Sequence, residues 1–467
     1  MAQLNLVVGA TDDNTTLLID SARQAIAEFN AQFVVFPELT LTSYPPEDLL
    51  LRPSLAPRMK EAMDRILAAK LPTTLVFGYP ESYEGKLYNS LAIVDQGELL
   101  ATYRKQCLPN YQVFDERRYF QAGDQPCVLE INGLRLGFTI CEDLWEEGPT
   151  QQLEHQSLDL LLNINASPFH RGKASERRQL LMRRARVIGA PITYVNLVGG
   201  QDELVFDGGS LVVDSGGEAV VQAPQFEAGL YPAVFKLSSA GRYEPAGESC
   251  VALASDLAQI YNALTTGVRD YVTKNGFKGV VLGLSGGIDS ALTLAIAVDA
   301  LGADAVHAVM MPFEYTSQLS RDAAAEQAAT LGVAYRSISI KSIYDQFVAA
   351  LALEFEGLSE DVTEQNLQAR CRGVLLMAIS NKKGYLVLTT GNKSEIAVGY
   401  STLYGDMAGG FDVLKDVSKT LVYELSRYRN TLGDSAESVA LEAIPQRVID
   451  RPPSAELAPG QVDQDNL

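Results

Sequence analysis

The chain has 467 residues, 47% of them hydrophobic and 21% charged, with a formal net charge of -20 at pH 7. That length is too great for one ordinary core and calls for two domains, and the composition excludes a disordered chain. The negative charge excludes general binding to nucleic acid or to an anionic membrane surface, yet leaves room for a local phosphate pocket of Lys, Arg and backbone N–H groups.

The chain begins Met1-Ala2-Gln3-Leu4-Asn5, with no basic region leading into an apolar core, so it does not read as a signal peptide. Leu4 to Val8 reads as a strand, Thr15 to Phe29 as an amphipathic helix and Phe33 to Phe36 as a second strand. Further strands are expected at Thr74 to Phe77, Ser90 to Val94, Leu136 to Ile140, Leu160 to Ile164 and Ile192 to Asn196. The small, polar, turn-forming stretch Ser238 to Gly247 reads as a linker, which sets domains at residues 1–240 and 252–467 with 241–251 between them. Then follow a helix around Ala252 to Lys274, a strand at Val280 to Leu284, a helix at Ala291 to Leu301 and a strand at Val306 to Met310. This alternation is that of a doubly wound, Rossmann-like parallel sheet in an α/β protein. No apolar run is long enough to span a bilayer, and five scattered cysteines make no disulfide framework, so a reduced, cytoplasmic setting is expected.

In the first half, two apolar strands end on reactive side chains. Phe33 to Phe36 runs into Pro37-Glu38, Leu136 to Ile140 runs into Cys141-Glu142-Asp143-Leu144-Trp145, and Tyr103-Arg104-Lys105-Gln106-Cys107 lies between them. A thiolate is an effective nucleophile, a nearby lysine lowers a thiol's pKa, and a carboxylate takes its proton. Only His155, His170 and His307 occur, which leaves a Ser-His-Asp hydrolase or a His-ligated zinc enzyme few candidates. Glu38, Lys105 and Cys141 would do without histidine what a His-based triad does elsewhere. Taken alone, Cys141 would more often be a buried apolar residue, the fate expected of Cys107, Cys127, Cys250 and Cys371.

In the second half, the strand Val280 to Leu284 runs into Ser285-Gly286-Gly287-Ile288-Asp289-Ser290 and then a helix. A Gly-Gly turn there brings backbone N–H groups to the positive end of the helix and makes an anion site, with the two hydroxyls as further donors. Asp289 suits phosphate only with Mg²⁺ between them. An isolated Ser-Gly-Gly is at least as often a plain helix-capping turn. Gly283-Leu284-Ser285-Gly286-Gly287 also fits a nucleophile elbow, but the one later histidine, His307, falls inside a strand. Gly391-Asn392-Lys393-Ser394 misses the glycine spacing and preceding strand of a Walker A loop.

The loop Ser285 to Ser290 resembles the pyrophosphate loop of ATP pyrophosphatases. Together with Glu364 to Arg370, Leu388 to Glu395, Tyr404-Gly405-Asp406 and Val413 to Lys419, it resembles the NAD synthetases in order and spacing. The resemblance implies ATP contacts along Ser285, Gly286, Gly287, Ile288, Asp289 and Ser290 and at Thr390 and Lys419. It implies Mg²⁺ ligands at Asp289 and Glu395, and a deamido-NAD site at Asn366, Arg370, Glu395 and Asp406. Singly, Glu395, Lys419 and Arg370 would more often be solvated charges on a helix face.

The first half is similar to the nitrilase-like, or carbon–nitrogen hydrolase, family, through Asn165 to Phe169 and Val198 to Leu204. This implies a four-layer α-β-β-α sandwich, with Glu38 as base, Lys105 as oxyanion stabiliser, Cys141 as nucleophile and Glu116 as a second carboxylate. Tyr111, Glu142, Ser167 and Lys173 match glutamine-binding positions. The fused pair implies an enzyme that amidates deamido-NAD with ATP, drawing ammonia from glutamine along a sheltered path, and acting as a homo-oligomer. Members of the family continue past the counterpart of Gln461 to Leu467 into a basic helical segment that helps close the synthetase site. Two other readings stay open: an amidating ligase for a different adenylated acid, and an amidase whose second half only binds nucleotide or regulates.

Overall fold

Runs of valine, leucine and phenylalanine that alternate their faces organise the first half into two sheets. The computed structural model describes residues 1–239, 241–247, 249–432, 442–452 and 456–457, so the closing stretch Gln461 to Leu467 lies outside it. Two compact units, Met1–Gln259 and Ile260–Leu467, make up the chain.

In the first unit, Phe33–Val35, Thr74–Tyr83, Lys86–Asp95 and Glu98–Arg104 form a four-stranded sheet in that order. A seven-stranded sheet runs Ser249–Cys250, Ala219–Gln222, Leu211–Val213, Ile192–Asn196, Leu160–Asn165, Leu134–Ile140, Cys127–Ile131. Side-chain alternation decides the layering. Val76, Leu91 and Ile93 of the first sheet pack with Phe138, Ile140 and Leu162 of the second in one buried cluster. Their sequence neighbours Leu75, Phe77, Ala92 and Val94 turn the other way, onto Leu18, Ala22, Met59 and Ile66 of the helices Thr11–Phe29 and Leu55–Ala68. Leu161, Ile192 and Tyr194 likewise meet Leu180, Leu181 and Ala185 of the helix Lys173–Ile188. The result is the expected α-β-β-α sandwich, each large buried aliphatic contributing about 1.5–3 kcal/mol of transfer free energy.

Two local expectations differ from what forms. Leu4 to Val8 is not a strand; the edge strand is only Ala2–Gln3, paired with Gly229–Leu230. The Val7 N–H and carbonyl are both taken by the Asn14 side chain, at 3.2 and 2.8 Å, so the backbone has nothing to offer a ladder there. The stretch read as a linker carries strands as well. Tyr243–Ala246 pairs with Val234–Leu237, and Ser249–Cys250 runs parallel to Ala219–Gln222.

The second unit is built on five parallel strands in the order Ala334–Ser337, Val306–Met310, Val280–Gly283, Leu386–Thr389, Phe411–Asp412. The chain starts at the central strand and works outward on one side, then on the other. Strands are added in both directions from the central strand, so the switch point falls beside Val280–Gly283, where ligands bind in such sheets. Val281, Val309 and Val387 share a core with Cys371 and Leu376 of the helix Val362–Lys383. The helix after the central strand begins at Ile288, three residues earlier than expected, so Asp289 and Ser290 lie in its first turn. Among the described residues no helix is long and apolar enough to cross a membrane.

Candidate active sites

Four segments of the first unit end at one buried point. Glu38 follows Phe33–Val35, Lys105 follows Glu98–Arg104, Glu116 opens the short helix Glu116–Arg118, and Cys141 follows Leu134–Ile140. None of the four is more than 5% exposed. Lys105 Nζ donates to Glu38 Oε1 and to Glu116 Oε1, each at 2.7 Å. The Ala166 N–H donates to Glu38 Oε2 at 2.9 Å, and Tyr44 Oη donates to Glu116 Oε1 at 3.0 Å. The strand Thr74–Tyr83 must come close to this point, because a Cβ on Gly78 would lie 2.2 Å from the Leu39 nitrogen.

Burial opposes the Lys105 charge, but Glu116 and Glu38 outweigh it and hold the ammonium's pKa well above the lysine norm. Burial raises Glu116 to about 7 against the pull of Lys105. Burial, then the charge of Glu38, pushes the Cys141 thiol well up, and Lys105 offsets this only in part. Lys105 does lower the thiol's pKa, as expected of a nearby lysine, but burial and Glu38 outweigh it. The ammonium is already shared by two carboxylates, so the resting nucleophile is a thiol and needs a base.

Cys141 has φ of +42°, a left-handed conformation that costs a residue other than glycine about 1–3 kcal/mol. Asp143 holds the turn that imposes it. Its Oδ2 accepts from the Ile140 N–H at 3.1 Å and Tyr103 Oη at 2.7 Å, and its Oδ1 from the Gln106 and Cys107 N–H groups at 3.0 and 2.8 Å. Sequence reasoning passed over Asp143, whose signal was an acidic residue directly after a strand-ending Cys-Glu.

Beside the thiol, Tyr111 Oη donates to Glu142 Oε1 at 2.9 Å. Lys173 Nζ lies 3.9 Å from the centre of the Trp145 ring. Burial raises the Glu142 pKa, opposed by Tyr111, and burial followed by Arg177 lowers that of Lys173. Ser167 is braced from behind. Arg177, buried and paired with Asp207 at 2.6 Å, donates to Ser167 Oγ at 3.2 Å and to its carbonyl at 2.8 Å. Trp145 and Arg177 were missed as well; a lone tryptophan or an arginine on a basic helix carries little signal of its own.

In the second unit a cavity of about 420 Å³ opens at the C-terminal ends of the central strands. Its wall includes the whole loop Ser285 to Ser290, with Thr390, Glu395, Lys419, Asn366 and Asp406. Gly286 has φ of +83°, and a Cβ there would sit 2.2 Å from the Ser320 carbonyl oxygen, so only glycine fits. The Ser285 and Ser290 hydroxyls lie 3.0 Å apart at the positive end of the helix Ile288–Leu301.

Lys419 Nζ donates to Asp289 Oδ2 and lies 3.6 Å from Glu395 Oε1. Asn392 donates its side-chain amide to Asp289 Oδ1 at 3.0 Å and its backbone N–H to Glu395 Oε2 at 3.3 Å. Two carboxylates gathered around a cation are a hard oxygen set that fits Mg²⁺, which takes one or two carboxylates plus phosphates. Arg370 stands apart from this wall. It is exposed and donates to the Leu403 carbonyl at 3.3 Å, whereas Arg372, two residues on, lines the cavity and donates to the Met311 carbonyl at 3.1 Å. Burial lowers the Arg372 pKa and Asp406 opposes that.

Fold and sites define a carbon–nitrogen hydrolase unit joined to a nucleotide-dependent synthetase unit. Residues 1–244 match the family described as carbon-nitrogen hydrolase, and residues 260–467 the family described as NAD synthase. The chain is 48% identical to a glutamine-dependent NAD(+) synthetase of Acinetobacter baylyi, across all of this chain and 84% of that one. It is 42% identical to that of Aquifex aeolicus, across all of this chain and 86% of that one. A solved glutamine-dependent NAD+ synthetase of Acinetobacter baumannii, in complex with ADP, superposes with a TM-score of 0.92 at 48% identity, over 97% of this chain and 85% of that one. The chain belongs to the glutamine-dependent NAD(+) synthetase family.

Proposed function

We propose that the chain forms NAD from deamido-NAD and ATP with ammonia taken from glutamine, and that two separate sites divide the work. The observation that carries this reading is the buried Glu38–Lys105–Glu116 network beside Cys141, in a chain whose other unit holds the Ser285–Ser290 loop over a nucleotide-sized cavity. In the first unit, Glu38 takes the Cys141 proton as sulfur attacks the glutamine carboxamide carbon. Lys105 stabilises the oxyanion, and the proton passes to nitrogen as the C–N bond breaks and ammonia leaves. Water, losing its proton to Glu38, then cleaves the thioester to glutamate and restores the thiol. Tyr111, Glu142, Ser167 and Lys173 are proposed to hold glutamine, with Glu142 suited to its ammonium and Lys173 to its carboxylate.

In the second unit, a nicotinate carboxylate oxygen attacks the α-phosphorus of ATP and pyrophosphate leaves, giving a mixed anhydride. Ammonia then displaces AMP and leaves the amide. The loop N–H groups, Ser285, Ser290, Thr390 and Lys419 are proposed to bind the phosphates, and Asn366, Arg370, Glu395 and Asp406 the deamido-NAD. Asp289 and Glu395 would hold Mg²⁺, which neutralises charge on the phosphates. Ammonia protonates in neutral water, so a sheltered path belongs to the same proposal. Homo-oligomers in a reduced, cytoplasmic setting complete it, the oligomer supported by exposed Val374, Met377 and Leu403; sedimentation and cell fractionation test that part. The reaction itself is tested by product ratios. AMP, pyrophosphate and NAD should appear in equal amounts and only with deamido-NAD; pyrophosphate release driven better by another carboxylic acid would refute this acceptor.

A further inference from the structure

We propose that Asn89 is a positioning residue of the glutaminase centre, an amide that holds Glu38 and Glu116 in register with Lys105. Asn89 lies on the strand Lys86–Asp95, far in sequence from Glu38 and Cys141, and is wholly buried. Its Nδ2 donates to Glu38 Oε1 at 2.8 Å and to Glu116 Oε2 at 3.4 Å. Its main-chain carbonyl accepts from the Lys105 N–H at 2.9 Å. One residue thus touches three of the four members of the centre.

The amide's orientation is set by charge, because the reverse would press a carbonyl oxygen against two carboxylates. That orientation leaves Asn89 Oδ1 buried without a hydrogen-bond partner. Leucine has nearly the same shape and strands no polar atom, so packing alone would favour it. The unpaired oxygen is the cost of placing two donors on the carboxylates. Lys105 and Tyr44 both bond Glu116 at Oε1, and Asn89 is what reaches Oε2. The titratable groups acting on this pair are Lys105, Tyr44, Cys141 and Glu142, and of these only Lys105 brings a positive charge. Donors to a carboxylate favour its ionised form, so losing the amide raises the proton affinity of Glu116 further.

The inference rests on the glutaminase reading, whose own failure would show as absence of glutamine hydrolysis in the wild-type chain. Asn89→Leu, made in the full-length protein, keeps the volume and removes the donors. Glutaminase kcat should fall roughly 10- to 100-fold, within the range that acid–base groups contribute, while KM for glutamine stays nearly unchanged. The acid limb of the glutaminase pH profile should move to higher pH, and ammonia-supported synthesis should persist. A wild-type kcat, or a lower kcat with an unmoved pH profile, would overturn the proposal, since the second result is what a packing role gives. If the leucine variant unfolds, Asn89→Ser is read instead by the rate of Cys141 alkylation against pH in a glutaminase-competent preparation. A displaced profile supports the proposal and an unmoved one overturns it.

Discussion

At the residue scale, burial decides the resting state of the nucleophile. Cys141 is desolvated and faces the charge of Glu38, so its thiol pKa lies above the ordinary value and its proton stays on sulfur at neutral pH. The sign is clear. Alkylation of Cys141 by a neutral haloacetamide in the free enzyme should be slow near pH 7 and still rising past about pH 8.5, where an ordinary thiol is half ionised. A plateau below pH 7 would mean that Lys105 prevails after all. The second site makes a parallel statement. Lys419 and Asn392 between them occupy both oxygens of Asp289 and of Glu395. On the proposed metal role of Asp289 and Glu395, a cation would compete with the Lys419 ammonium for these oxygens, and phosphate oxygens would draw Lys419 away. Mn²⁺ binding read by electron paramagnetic resonance should therefore be weak without nucleotide and at least tenfold tighter in Lys419→Met. Equal affinity in the two proteins would contradict that competition.

At the element scale, the turns after strands carry the chemistry, and how legible they were depended on what the backbone had to do. Ile192–Asn196 and Val306–Met310 form as expected, because each is buried along its length and its residues favour a pleated, covered surface. Leu4 to Val8 has the same apolar character but loses its ladder to Asn14, a contact that apolar periodicity does not encode. The Cys141 turn depends on Asp143, and the Ser285 loop on close passage past Ser320. Gly286→Ala puts a methyl carbon against that carbonyl in a backbone conformation that disfavours it. It should abolish ATP-dependent synthesis, from glutamine or ammonia alike, while glutamine hydrolysis continues in the other unit. Retained synthesis within a factor of two, measured as NAD formed, would show that the loop does not bind the phosphates.

At the scale of the whole molecule, chemistry-bearing residues were legible where a motif marked a strand end. Glu38, Lys105, Glu116 and Cys141 come together at one buried point, and the loop, Thr390, Glu395 and Lys419 line one cavity. What stayed hidden was the bracing. Asn89, Asp143, Trp145 and Arg177 act through distances that only the folded chain creates, and Arg372, about 200° around the helix from Arg370, lines the cavity. In the proposed function the two units share one reaction through ammonia, and Cys141→Ala separates their contributions. Full-length protein carrying that change should lose glutamine-supported NAD formation by at least about 10³-fold, as removal of a nucleophile does, yet keep ammonia-supported formation near the wild-type rate. Loss of both activities, or retention of both, would contradict the division of labour between Cys141 and the Ser285–Ser290 loop.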